Sequence, residues 1–425
     1  MDTKEIYGTL ENNSLGISDT KELFTLEEAM AAMFAGNAVL FVDGYDRAIK
    51  IGSKGYPGSG VQKTDSEKGL RGSKEAFSES VKMNTALIRK RIRNAKMKAE
   101  EKQVGRYSAT TTALLYLDGV VYQPICEEMR KRLNAFEVDG IEDSGMIEYL
   151  TRKKKEGRFP VYQTTERPDR AAQAILEGRV VLLTDNSPEA LIFPATLNSL
   201  FQTADDYYRN ERIVTFLRLI RYVAAFLALA LPGLYVAAAT FHPQLLPGNL
   251  IRSMAEARSG VPFPTAAEVL LMELSFELLR EAGLRMPGPA GNTIGIVGGL
   301  IVGQAAVSAN LVSPITVTVA ALTALGSFSI PNEELSEVFR LWKYGILLLG
   351  SCFGILGVML GCFLLLMLMA EQESYGIPWL YPYVGGNLNE RADEKDSMFL
   401  AAARKRKSRP IFAKWGNRIR FRRKS

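Results

Sequence analysis

The sequence is poor in the residues that most catalytic and metal chemistry needs. Among 425 residues it holds one histidine, His242, and three cysteines, Cys126, Cys352 and Cys362. A single histidine nearly excludes His-ligated metal centres and Ser–His catalysis, and three scattered cysteines give no disulfide framework. Cys352 and Cys362 stand in apolar sequence, where a thiol serves as a small packing residue. The first thirty residues hold no apolar run of the signal-peptide kind, so the charged first half of the chain is expected in the cytoplasm. No catalytic residues, cofactor motif or metal cluster stand out, and an enzyme is not expected.

The longest absence is of charge. From Gly291 to Ile330, forty residues contain no Asp, Glu, Lys, Arg or His. About 20 helical residues cross a bilayer's hydrocarbon core, so this run is long enough for two crossings, expected at 292–309 and 312–330. Asn310, Ser313 and Pro314 mark the turn between them. Gly291, Gly295, Gly299 and Gly303 recur every four residues and line one helix face, where a neighbouring backbone can come close. Gln304, Ala305, Ser308 and Asn310 are the polar or small residues cheapest to place beside water, and they are the candidates for a pore lining. Ordinary helix packing accounts for them nearly as well.

Two more spans are expected, at 222–241 and 342–368. Arg209, Arg212, Arg218 and Arg221 precede the first and hold its start on the cytoplasmic side. The second contains the pairs Gly350/Gly354 and Gly357/Gly361, which suit close helix contact. Four crossings return the chain to its starting side. The net charge is +6, and Arg404 to Lys424 carries eleven Lys or Arg and no acid. That run reads as a basic cytoplasmic tail with a secondary role at anionic membrane lipids.

Residues 265–283 are charged as well as apolar. Glu273, Glu277 and Glu281 share one stripe, while Leu270, Leu271, Leu274 and Leu278 lie mainly on the other side. Six charged groups from Glu268 to Arg285 make a lipid-surrounded span expensive. An amphipathic interfacial helix is expected, its acids facing water or paired with Arg280 and Arg285. In an oligomer the same stripe could instead form an acidic vestibule that concentrates cations.

The first half reads as α/β. After a disordered lead (1–20), TLEEAMAAMFAGNAVLFVD reads as helix, stop, strand and turn, with Thr25 and Glu28 as a capping box. The pattern returns 142 residues later in RPDRAAQAILEGRVVLLTD. Ala32 matches Ala174, Gly36 matches Gly178, Asp43 matches Asp185 and Ala48 matches Ala190. Because the identities fall on the helix stop, strand and turn, they read as a duplicated unit. The expected domains are a shortened first α/β subdomain with a basic linker helix (21–104), a second subdomain (105–212), a transmembrane region (213–370) and a C-terminal segment (371–425). The loop GSKGYPGSG (52–60) lacks phosphate-loop spacing and reads as a linker. The basic helix after it has no nucleic-acid-binding fold around it, and no nucleic acid is expected.

Five separated stretches carry a family resemblance: RGSKEAFSESVKMNTALIRKRIR, TERPDRAAQAILEGRVVLL, DDYY, PFPTAAEVLLMELSFELLREAGLRMPGPAGNTIGIVGGLIVGQAAV and ESYGIPWLYPY. Together they resemble the GerA-type spore germination proteins, most nearly the A subunit of a nutrient germinant receptor or its relative SpoVAF. The matching positions in the first half are Arg71, Gly72, Glu75, Asn84, Glu166, Arg167, Pro168, Asp169, Asp205 and Tyr207. The resemblance implies a multi-pass protein of the spore inner membrane with both termini cytoplasmic. It implies a homo-oligomer, a pentamer, with a pore for monovalent cations. It also implies a transporter-like B subunit and a lipoprotein C subunit as partners. A solute transporter and a non-conducting scaffold remain the competing functions.

Overall fold

The computed structural model describes residues 20–52 apart from 35 and 45, positions 64, 67 and 69, and residues 71–285 apart from 154 and 155. It also describes position 299, residues 301–384, residues 395–414 apart from 407, and positions 416 and 419. The polar lead, the loop 53–60, Gly291, Gly295, residues 292–298 and most of the tail past 414 lie outside the described residues.

The duplication is present down to its hydrogen bonds. The first unit runs β1 (Thr20–Leu23), α1 (Leu26–Phe34), β2 (Ala38–Phe41) and β3 (Ala48–Ile51), in the order β1-β3-β2. The second repeats it as β6 (Gln163–Thr165), α5 (Pro168–Glu177), β7 (Val180–Thr184) and β8 (Ala190–Phe193), in the order β6-β8-β7. Ala38 pairs with Ile51 and Phe41 with Ala48; 142 residues later Val180 pairs with Phe193 and Leu183 with Ala190. Gly36 and Gly178, at φ +81° and +94°, end the two helices in the left-handed region open to glycine. Gly44 and Asn186 take the same conformation in the two turns.

The second unit is much larger. Helix α2 (Val81–Arg91) and the hairpin β4 (Met97–Val104)–β5 (Thr110–Leu117) precede α3 (Gln123–Leu133) and α4 (Ser144–Thr151). Its sheet runs β4-β5-β7-β8-β6, every neighbouring pair antiparallel. Alternate strand residues point to opposite faces, so Leu114, Leu182, Leu191 and Phe193 pack against Ile125, Met129 and Ile147. Ala113, Leu115, Val181, Leu183 and Ile192 pack on the other face against Val81, Ile88 and Ile175. The layers are therefore helix, sheet, helix. The expected boundary at 104/105 falls inside the β4–β5 hairpin, and the basic linker helix is shorter than expected: 97–104 is an edge strand of the second sheet.

Helix α6 (Leu197–Phe201) and a 3-10 turn (Ala204–Tyr208) lead into α7 (Glu211–Thr240), whose 30 residues are long and apolar enough to cross a membrane. Among the described residues it alone meets that measure. After α8 (Gly248–Ala257) come α9 (Thr265–Leu284), α10 (301–308), α11 (Pro314–Phe328), α12 (Glu333–Phe353) and α13 (Ile355–Glu371). Helix α11 runs against α7, with Gly326 beside Ala224 and Ala228, and Thr316 beside Tyr235. Helix α12 runs with α7, bringing Gly350 to Gly233 and Gly354 to His242.

Two expectations change here. The single span expected at 342–368 is two helices, broken at Gly354 (φ +62°). Its glycines bring those two helices together: a Cβ on Gly357 would lie 1.9 Å from the Leu349 oxygen, and one on Gly361 2.9 Å from Ile346. The acids of α9, expected to face water or to pair with Arg280 and Arg285, do so only in part: Glu268 and Glu273 are buried, and Glu273 meets Lys343 of α12.

The described part of the C-terminal segment, as far as Lys414, is docked on the second α/β unit. After β9 (Glu373–Ser374) and β10 (Ile377–Pro378), Trp379 is fully buried and its indole N–H donates to the Pro160 carbonyl at 2.7 Å. Further on, Phe412 and Ala413 enter the two cores of the second α/β unit. The Tyr122 N–H donates to the Phe412 carbonyl, and the Lys414 N–H to the Val120 carbonyl.

Candidate functional site

The motif residues of the first half converge at the base of the helical layer, where α2, α5 and the 3-10 turn meet. Pro168 opens α5 at its first turn, where its missing N–H costs nothing. Arg167, just before it, reaches Asp169 at 2.8 Å, the Ser73 carbonyl at 3.3 Å and Asp205 at 4.0 Å. Burial alone would raise the Asp169 carboxyl; the Arg167 hydrogen bond and charge outweigh it and hold it low. Tyr208 donates to Asp169 at 3.0 Å, and the Arg71 guanidinium to the Tyr208 carbonyl at 3.4 Å. Gly72 sits at φ +92° beneath the Tyr208 ring, 2.6 Å from where a Cβ would stand. Glu75 bridges Lys90 and Arg91. Asn84 accepts from the Ser78 N–H at 2.8 Å, and the Phe77 N–H donates to the Glu166 carbonyl. These groups make a ligature that ties loops to helix starts, with no nucleophile held by a base.

A second, deeper network joins this region to α7 and the C-terminal segment. Thr203 and Asp206 cap the 3-10 turn. Asp206 then receives Arg218 at 3.1 Å and Arg221 at 2.9 Å. Burial pushes its carboxyl up, and the Arg221 hydrogen bond with the charges of Arg221 and Arg218 brings it below the usual range. The Arg218 side chain is 1% exposed, and its other arm reaches Asp396 at 2.9 Å and the Ser397 carbonyl at 2.6 Å. Tyr207 donates to Asp396 at 3.1 Å, and the side-chain amides of Asn198 and Gln202 donate to its carbonyl. A cavity of about 50 Å³ lies beside these groups, lined by Arg179, Ser199, Gln202, Tyr207, Asp396 and Arg406 among others. At ~10–15 Å³ per water it holds only a few. Burial pushes the Arg179 guanidinium down to about 10. Among the described residues no group of three His, Cys, Asp or Glu could hold a metal.

Within the helical layer the acidic stripe of α9 divides. Glu273 is 2% exposed and meets Lys343 of α12 at 2.6 Å. Glu277 meets Arg340 at 2.5 Å, and Arg280 meets Glu333 at 3.3 Å. Glu281 pairs with Arg285 on an exposed surface. Glu268 is fully buried, accepting from Arg258, the Ser313 N–H and Thr316. On α10, Gly303 packs against Val317 while Gln304, Ala305 and Ser308 lie on the exposed side, as does Asn310 just beyond. Gly299 packs on Phe276. Sequence reasoning missed Asp396, Arg218 as a hub, and the bases facing Glu273 and Glu277. Arg340 and Lys343, three apart at the head of an apolar run, were the available signal.

An α/β unit is thus tied through buried charge to a helical layer, one of whose helices is long and apolar enough to cross a membrane. The chain belongs to the GerA family: the family of Bacillus/Clostridium GerA spore germination proteins matches residues 2–412. Its relatives include a Bacillus subtilis membrane protein, YfkQ, 38% identical over 92% of this chain and 75% of that one. Spore germination protein KA of Bacillus subtilis is 35% identical over 89% of this chain and 70% of its own, and GerLA of Bacillus cereus 34% over 89% and 77%. A solved structure, the N-terminal domain of the A subunit of the Bacillus megaterium spore germinant receptor GerK3, is 26% identical over 46% of this chain and 70% of that chain, with a TM-score of 0.34.

Proposed function

We propose that this chain is the A-type membrane subunit of a spore germination complex, and that copies of it assemble into a ring, by family analogy a pentamer, that conducts monovalent cations. The helical layer then crosses the spore inner membrane several times, with both termini in the cytoplasm and a transporter-like B subunit and a lipoprotein C subunit as partners. The supporting observation is the two-sided character of α10. Gly303 and Ala306 are packed inward, and Gln304, Ala305 and Ser308 lie exposed in the single chain. A ring that turns that side inward gains a water-tolerant lining. Glu281, still exposed, is the member of the acidic stripe best placed for a vestibule.

Reconstitution in liposomes, with particle imaging to read assembly and potassium flux to read conduction, tests this reading. Rings with flux are the expected result. A monomer without flux, its partners supplied, overturns the reading and leaves a scaffold. Flux of an uncharged solute without cations would favour a transporter.

A further inference from the structure

Helix α9 packs Met272 against α10 and α11 and Val269 against Val236 of α7 and Leu347 of α12, and leaves Leu270, Leu271, Leu274 and Leu278 on its exposed side. Toward α12 it is held by ion pairs: Glu273–Lys343 at 2.6 Å, Glu277–Arg340 at 2.5 Å and Arg280–Glu333 at 3.3 Å. Charge inside an apolar layer is expensive and is usually functional. An apolar seam of the same size would hold two helices together at no desolvation cost. This seam is also incompletely satisfied. Glu273 Oε1, the Tyr344 hydroxyl, Arg340 Nε and one Arg280 nitrogen are buried without a hydrogen-bond partner. Each such atom is a standing cost that separation and hydration would relieve. A seam with strong but few links and unmet polar atoms is suited to two states, shut and dry or parted and wet. The α/β unit reaches it from one end, because the α12 start that carries Glu333 adjoins Glu148 of α4 through Glu334.

We propose that the Glu273–Lys343 pair latches α9 to α12 and holds the helical layer shut, Lys343 acting as a tethered cation that keeps mobile cations from the Glu273 carboxylate. In its conduction aspect this rests on the reading given above; in its structural aspect it does not. Lys343 and Glu273 are then positioning residues for conduction, acting through the set of α9.

The test uses the full chain in liposomes, with Glu273→Gln, Lys343→Met, and the exchange Glu273→Lys with Lys343→Glu. Resting potassium flux through either single variant should rise roughly tenfold or more, the scale of a typical coupling free energy, and the exchange should restore a quiet ring. Lys343→Arg should also stay quiet. Nitroxides on Leu278→Cys and Leu341→Cys, with Cys352→Ser, read the α9–α12 distance by spin-echo measurements whether or not the ring conducts. Singles should lengthen or broaden that distance and the exchange should return it. Wild-type flux and distance in assembled singles would overturn the latch. So would singles that fail to assemble while the exchange assembles, since the pair would then be a folding contact. A shifted distance with no flux from any variant would keep the latch and defeat the conduction reading.

Discussion

The two α/β units share a strand register, a helix-ending glycine and a left-handed turn residue at one constant offset, yet they are buried very differently. In the second, Ile175, Val181, Leu182 and Leu183 are fully buried. Their counterparts in the first include Met33 at 44% and Phe41 at 57% exposure. What differs is the cover: β5 pairs with β7, α2 lies over α5, and the C-terminal segment closes the cores. The described residues of the first unit have no counterpart of these. One local sequence pattern sets strand pairing and turn geometry in both places, and later segments decide which copy becomes a core.

Deleting side chains at matched positions is the sharpest way to break that comparison. Ile175→Ala opens a void between α5, α2 and the sheet and should cost ~2–5 kcal/mol. Met33→Ala, the same helix position in the first unit, should cost less than about 1 kcal/mol. Thermal unfolding of the two variants in detergent measures the gap, and equal losses would mean the first unit is covered as well as the second.

A smaller effect separates the two glycines. Any Cβ at Gly36 or Gly178 meets the positive φ, a strain of roughly 1–2 kcal/mol. At Gly178 it also meets the backbone of the docked tail, 2.8 Å from Ala413 Cα. Gly178→Ala should therefore loosen residues 408–414 and speed limited proteolysis there, while Gly36→Ala should leave that rate unchanged. Equal cleavage in both would show that the tail is not held at Gly178.

The duplication was legible in sequence because its marks fall on residues whose backbone role is narrow: a glycine after a helix, an Asp at a turn. Strand β4 was not, since MKAEEKQV is charged along the face an edge strand turns to solvent and reads as a continuation of the basic helix. The break at Gly354 was hidden for the opposite reason: the sequence on both sides is apolar throughout, so periodicity has nothing to mark. The docked tail was hidden by composition, with Ile411, Phe412 and Ala413 submerged in a basic run. At the joint the motif residues were legible by type, but their partners were not. Asp396 lies 178 residues from Arg218, and no local pattern could link the two.

The finest contrast is at the matched aspartates. Helix α2 begins after Ser80, whose side chain makes no capping bond. The first N–H of the helix, at Val81, donates instead to Asp185 Oδ1 at 2.9 Å, across 104 residues. The turn after β7 thus caps a helix that has no counterpart among the described residues of the first unit, and Asn186 beside it accommodates the left-handed step that Gly44 takes in the first copy. Asp185→Ala leaves that N–H at a half-buried helix end without its acceptor and should cost about 1 kcal/mol, the usual value of a lost cap. Asp43→Ala, at an exposed turn, should change stability by no more than about 0.5 kcal/mol. Hydrogen exchange at the start of α2 reads the difference directly. Protection there should fall in Asp185→Ala and hold in Asp43→Ala, because the same residue in the same turn has work to do only where α2 has been laid against it.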